Sequence, residues 1–365
     1  MKIAFIVVGV VLVVLFSKVL ATHFKKNRQL SDKTAQLKGL KVMLFSLVGV
    51  SVLGTVVSSV LPSVSLAIQA NRYKKYAQTV DINEYLPDEL KIAPAVWKVT
   101  DKENGNSVYL MGSIHIMTDT MLPFPNYVTV AYEKSEILAV EKIPKESSET
   151  DLGAYILSDQ KIYDVLSEDT YYAAKSFLKE RGLYFDSFDD YNADFWYSIV
   201  YEAVISSIKN IDYTKGVDLY FVELAQKDGK RLAGIDSSIE NGLPTPSVKL
   251  EEYMICELLE NCDNAAPDLA EVYANWASGE IDKLIEDDQS EIPDELLVDY
   301  GNYQKSLTTD RNAVMTDGII KFLKNGDKAF VVVGAAHLAG DCGIISLLKQ
   351  YGYLIERLDN SPMAN

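Results

Sequence analysis

Leu110-Met111-Gly112-Ser113-Ile114-His115 and Val333-Gly334-Ala335-Ala336-His337 decide how this sequence is read. Each closes an apolar run with glycine, two small or apolar residues and a histidine. An uninterrupted apolar run suits a strand covered on both faces. Glycine then lets the chain turn sharply without a side-chain clash. In open α/β sheets ligands sit beyond the carboxyl ends of the strands, so both imidazoles are expected at equivalent exits where chemistry is done. They are two of the three histidines in the chain; the third, His23, lies in a basic linker. Spacing alone leaves a structural role for either imidazole as an alternative.

Two further apolar stretches end in acids. Ile137-Leu138-Ala139-Val140 runs into Glu141, and Arg231-Leu232-Ala233-Gly234-Ile235 into Asp236. Glu141 is a candidate ligand, general base or helix-cap partner. Ser237 to Glu240 follow Asp236 in a pattern that favours capping of the next helix. Around these strands, Val96–Val99 and Ser107–Met111 flank Asp101–Gly105, and alternating apolar residues about an Asn-Gly signal predict a hairpin. Helices are expected over Tyr127–Ser135, Val217–Gln226 and Gly343–Gln350, and a last strand over Tyr353–Arg357. Residues 160–210 and 248–325 read as helical, the latter interrupted around Pro293. The expected fold is therefore α/β: a mixed sheet with strand-end Gly-x-x-His motifs and a large helical insertion, at about 155–325, covering it.

The 365 residues are 48% hydrophobic and 24% charged, which excludes a disordered or fibrous chain. The net charge of −17 is unevenly spread. Residues 1–75 carry 11 basic side chains against Asp32 alone, and the rest carries 24 basic against 51 acidic. So acidic a body repels phosphate backbones, so no nucleic-acid partner is expected. Apolar runs at 3–20 and 42–70 are each candidates to enter a bilayer, the first also as the core of a signal peptide. Between them Lys25, Lys26, Arg28, Lys33, Lys38 and Lys41 favour a cytoplasmic linker, although Arg72, Lys74 and Lys75 oppose it. The expectation is a membrane-anchoring region over 1–75 preceding N-terminal to a body, residues 76–365, held outside the cytoplasm at the cell membrane. Ala67-Ile68-Gln69-Ala70 is a possible processing site that would release the body instead.

His115, His337 and Glu141 at strand ends form a donor set suited to a divalent metal with an open position for water. A metal-free route is the alternative, with one histidine as general base toward water and Glu141 orienting it.

These residues carry a resemblance to a known family. Residues 92–358 resemble the TraB/GumN family, which includes the Tiki metalloproteases and is distantly related to ChaN-like and erythromycin-esterase-like proteins. The likeness runs through Pro94-Ala-Val-Trp97-Lys, Leu110–His115, Val140-Glu141, Tyr213-Thr-Lys-Gly216-Val-Asp218, Ala225, Gly229-Lys230, Asp310-Arg311-Asn312, Val333–His337 and Tyr351-Gly352-Tyr353. Asp236 departs from it, since glutamate is commoner there. The resemblance implies a divalent-metal-dependent hydrolase (manganese, cobalt or zinc) acting on peptides or proteins. It makes His115 and His337 metal ligands, Glu141 a ligand or the activator of water, and Arg311 an oxyanion stabiliser. A salt bridge from Arg311 to Asp310 or another carboxylate is the competing role. Gly112 and Gly334 would support the histidines, Asn312 would order its loop, and Asp218 would pair with or cap a neighbouring helix. Bacterial relatives are also linked to shutting off peptide pheromones, which makes a non-catalytic peptide-binding surface protein the rival function. A metal-free esterase is the third.

Three cysteines provide no disulfide framework. Cys256 and Cys262 could pair only if their helix breaks between them, and Cys342 is expected to be a small buried residue at a helix start. The 22 tyrosines are expected mainly as half-buried packing, with a peptide groove as the alternative.

Overall fold

The computed structural model describes residues 80–144, 157–240, 243–285 and 292–359. The apolar runs at 3–20 and 42–70 and the linker between them lie outside the described residues. Among the described residues no helix is long and apolar enough to cross a membrane.

In chain order the elements are β1 (Val80–Asp81), β2 (Val96–Thr100), β3 (Ser107–Ser113), α1 (Asn126–Glu133) and β4 (Ile137–Val140). Then come α2 (Glu168–Glu180), α3 (Ala193–Ile205), β5 (Ile208–Lys209), α4 (Val217–Asp228) and β6 (Arg231–Gly234). Four helices follow: α5 (Val248–Glu260), α6 (Ala265–Ser278), α7 (Leu297–Leu307) and α8 (Thr309–Asn325). The chain closes with β7 (Ala329–Gly334), the single turn α9 (Ala335–Leu338), α10 (Ile344–Gln350) and β8 (Leu354–Leu358).

Six strands form one mixed sheet in the order β6-β4-β7-β3-β2-β8, and a short parallel pair joins β1 to β5. Only β2 runs against its neighbours in the larger sheet. The predicted hairpin is β2–β3, registered from Val96 opposite Met111 to Thr100 opposite Ser107. Its turn is longer than a two-residue Asn-Gly loop: the Asp101 N–H donates to the Asn106 carbonyl at 2.8 Å, and Gly105 takes φ +76°. The centre of the sheet is apolar on both faces. Ala329 to Val333 of β7 are all sealed from solvent, as are Leu110 and Met111 beside them. Burial of each valine there contributes about 1.5–3 kcal/mol.

Within residues 155–325, read from the sequence as one cap, the chain leaves the sheet and returns. Helices α2, α3 and α5 build a separate core around Trp196, Leu178, Val200 and Ile255. Each begins with a side-chain cap: Ser167, Asn192 and Ser247 accept from the N–H groups of Thr170, Phe195 and Leu250. In contrast, α4, β6, α6 and α8 belong to the sheet layer, with Phe221, Tyr273, Trp276 and Met315 in the main core.

Candidate functional site

The strand order lines up the chemistry. Val140 of β4 pairs with Gly234 of β6 on one side and with Val332 of β7 on the other. Gly112 and Ser113 of β3 pair with Val333 and Gly334 of β7. All four strands are parallel, so Asp236, Glu141, His337 and His115 leave the same edge of the sheet from successive strands.

His337 sits on the turn α9 and is buried. Its Nδ1 is 2.7 Å from Asn312 Oδ1, while the Asn312 amide nitrogen donates to the Cys342 carbonyl at 2.9 Å. A carbonyl can only accept, so Nδ2 faces Cys342 and Oδ1 is left to accept from the imidazole. The hydrogen therefore lies on Nδ1, and Nε2 keeps its lone pair. That lone pair faces Glu141, whose Oε1 is 3.8 Å away. Burial holds the His337 pKa below its ordinary 6.5; Arg311 and His115 push the same way, and Glu141 and Asp236 oppose them.

Glu141 is held from two sides. Its Oε1 accepts the Gly334 N–H at 2.8 Å, and its Oε2 is paired with the Arg311 guanidinium. Arg311, on α8, donates from Nε to Asp236 Oδ2 at 2.7 Å and from Nη1 to the Leu307 carbonyl at 3.2 Å. Each of its three nitrogens is thus engaged within the protein, and its carboxylate partners are Glu141 and Asp236. Asp310 pairs instead with Lys305. Asp236 also accepts the Ser238 N–H at 3.0 Å, capping the short turn Ser237–Ile239 as its sequence context predicts.

The two Gly-x-x-His exits differ. After Gly334, two alanines carry His337 into a helical turn. After Gly112 the strand runs on to Ser113, and Ile114 is held by the Val217 N–H at 3.0 Å. His115 consequently stands in a loop with its side chain 83% exposed. It nonetheless leaves the strand next to that of His337, since β3 pairs with β7. Its Nδ1 is 3.9 Å from Asp218 Oδ1, the one buried side-chain polar atom without a hydrogen-bond partner among the described residues. Gly216 makes that approach possible: a Cβ there would lie 2.2 Å from the same oxygen. The sequence reading had no signal for this role of Gly216.

Gly112 has a second function beyond turning the chain. A Cβ at this position would stand 2.8 Å from Ala335 Cβ and 2.9 Å from Ala335 Cα, and the Gly112 carbonyl accepts the Trp276 indole N–H at 2.9 Å. Gly112→Val is therefore expected to destabilise the body by about 1–3 kcal/mol through overpacking. Urea unfolding checks this, and an unchanged midpoint would show that α9 yields freely.

The cysteines differ from expectation in one respect. Cys342 is exposed, because the chain between Gly340 and Gly343 turns outward while its carbonyl faces Asn312. Cys256 and Cys262 are both unpaired; α5 ends at Glu260, and the Cys256 thiol lies 3.3 Å from the Thr170 hydroxyl.

As a test of metal fit, the donor chemistry is right: a neutral imidazole nitrogen and a carboxylate face each other, with a second imidazole leaving the adjacent strand. Among the described residues, however, no three His, Cys, Asp or Glu side chains are grouped closely enough to hold an ion as they stand. Residues 95–357 match the model of the TraB/PrgY/gumN family. No curated protein and no solved structure matches the chain.

Proposed function

Because the chain belongs to the TraB/PrgY/gumN family, we propose that it is a divalent-metal-dependent hydrolase of peptides. We place its body on the outer side of the cell membrane, anchored by the apolar runs near its N-terminus. The observation that carries the reading is His337: its Nδ1 hydrogen is fixed by Asn312 and its Nε2 is open toward Glu141. A buried, neutral, singly oriented imidazole beside a carboxylate is suited to bind a cation or to take a proton.

His337, Glu141 and His115 would hold the ion, which when bound supplies an acidified water and polarises the scissile carbonyl. The protein's own groups do the remaining work. Asn312 sets the tautomer of His337, and Arg311 holds Glu141 with one oxygen turned to the imidazole. Asp236 in turn fixes Arg311. The His115 side chain is exposed, so no packing fixes its present orientation. The outward orientation rests on the six basic residues of the linker.

The test is bound metal and peptide hydrolysis in the full chain, His115→Ala and His337→Ala. Both quantities are expected to fall in both variants; unchanged metal content and activity would reject the reading. The spacing of His337 Nε2 and Glu141 also suits the metal-free route, with His337 as base and Glu141 accepting from the attacking water. Hydrolysis insensitive to chelator selects that route. Peptide binding that survives loss of both histidines, without hydrolysis, selects a sequestering surface protein.

A further inference from the structure

His337 and His115 leave adjacent strands but differ in what stands behind Nδ1. For His337 it is Asn312 Oδ1 at 2.7 Å, which holds the ring hydrogen on that nitrogen. For His115 it is Asp218 Oδ1 at 3.9 Å, too far for a hydrogen bond. That oxygen is in turn sealed from solvent and accepts no hydrogen bond, the one such side-chain atom among the described residues. A carboxylate oxygen shut away from water without a donor is costly, so any donor that can reach it is favoured.

The backbone around Asp218 brings His115 to it. Asp218 lies in the first turn of α4, directly after the Gly216 cap. The Val217 N–H donates to the Ile114 carbonyl at 3.0 Å, tying the residue before His115 to the residue before Asp218. A Cβ at Gly216 would stand 2.2 Å from Asp218 Oδ1, 3.1 Å from the Ile114 carbonyl oxygen and 3.3 Å from His115 Cα. The carboxylate and the His115 backbone thus close on the same glycine. The imidazole itself is exposed and fixed by no packing, and it needs a shift of only about 1 Å to make the bond.

We propose that Asp218 is a positioning residue for His115: its Oδ1 accepts the Nδ1 hydrogen, so that Nε2 keeps its lone pair. Free histidine in water favours the hydrogen on Nε2, and an acceptor at Nδ1 reverses that choice. Asp218 would then do for His115 what Asn312 does for His337, and both imidazoles would offer the same nitrogen. A carboxylate behind an imidazole also fixes the ring orientation and strengthens Nε2 as a donor. The proposal goes beyond the hydrolase reading, because it concerns a tautomer of the metal-free chain. It holds whether Nε2 meets an ion or a proton.

The experiment is nitrogen NMR of the full chain, metal-free and labelled with ¹⁵N-histidine, at about pH 8.5, where an ordinary imidazole is neutral. The signals of His115 are those missing from His115→Ala. In the parent, the Nδ1–H tautomer is expected to predominate at His115. In Asp218→Ala it should give way to Nε2–H, while His337, held by Asn312, keeps its hydrogen on Nδ1. Zinc affinity, measured by titration, should fall about 10–100-fold in the same variant. A parent His115 that is mainly Nε2–H, or a tautomer indifferent to Asp218→Ala, overturns the proposal. If Asp218→Ala does not fold, the parent spectrum decides alone, since free histidine would show the opposite majority. The expected tautomers in a chain that binds no metal support Asp218 as the positioning group and sink the metal reading. Bound metal and hydrolysis with a His115 tautomer indifferent to Asp218 do the reverse.

Discussion

Arg311→Ala is expected to lose about 3–5 kcal/mol of stability, the cost of removing one partner from a buried ion pair. The Arg311 side chain is 7% exposed and bridges Glu141 to Asp236, whose own side chain is fully buried. Without the guanidinium, two carboxylates from adjacent strands face each other with no counter-charge. Lysine is a poor substitute, because one ammonium cannot reproduce a fork that donates to both acids and to the Leu307 carbonyl. Arg311→Lys should therefore fall between the parent and Arg311→Ala. The neighbouring pair Lys305–Asp310 supplies the contrast. Both its side chains are more than half exposed, and Asp310→Ala should cost no more than about 1 kcal/mol. Urea unfolding of the three variants measures the series; an Arg311→Ala protein as stable as its parent would mean that the two carboxylates are compensated by something other than Arg311.

His337→Ala is expected to reduce kcat/KM for peptide hydrolysis by about 10²–10⁴-fold, the usual contribution of a positioned base. Asn312→Ala should reduce it by about 10–100-fold, as for a residue that orients a ligand from behind. The difference follows from position: His337 faces Glu141, while Asn312 only fixes which nitrogen carries the hydrogen. The pH dependence has a defined sign. Neutral imidazole is the working form, and its pKa is held below 6.5 by burial. Activity should thus hold as pH falls to 6.5 and decline only below it. Stability moves in the same direction. Below pH 6.5 the unfolded chain takes up a proton at this position more readily than the folded one, so acidification weakens the fold there. That increment of acid sensitivity should be absent from His337→Ala. An acid limb centred above pH 6.5, or full activity in His337→Ala, would remove this imidazole from the chemistry.

The strands, and the edge at which their histidines and acids emerge, were legible in the residues. Apolar runs long enough to bury both faces fixed Ile137–Val140 and Ala329–Val333 as strands, and alternation about Asp101–Gly105 fixed the hairpin. Asp236 was legible as a cap from the residues after it. By contrast, the different fates of the two histidines were not. Gly-Ala-Ala-His and Gly-Ser-Ile-His look alike as patterns, yet only the first continues into a helical turn; the second is held out by the Val217 N–H on Ile114. The partners of Arg311 also lay beyond sequence reading, since Asp236 and Glu141 are 75 and 170 residues away along the chain. Local propensity and hydrophobic period are properties of neighbouring residues, so the sequence by itself determined the elements, the α/β class and the donor types. Which charge meets which, and which imidazole is sealed and which stands in solvent, are consequences of strand order and helix packing. Only the tertiary structure decided those, because electrostatic and hydrogen-bond partners are chosen by distance in space.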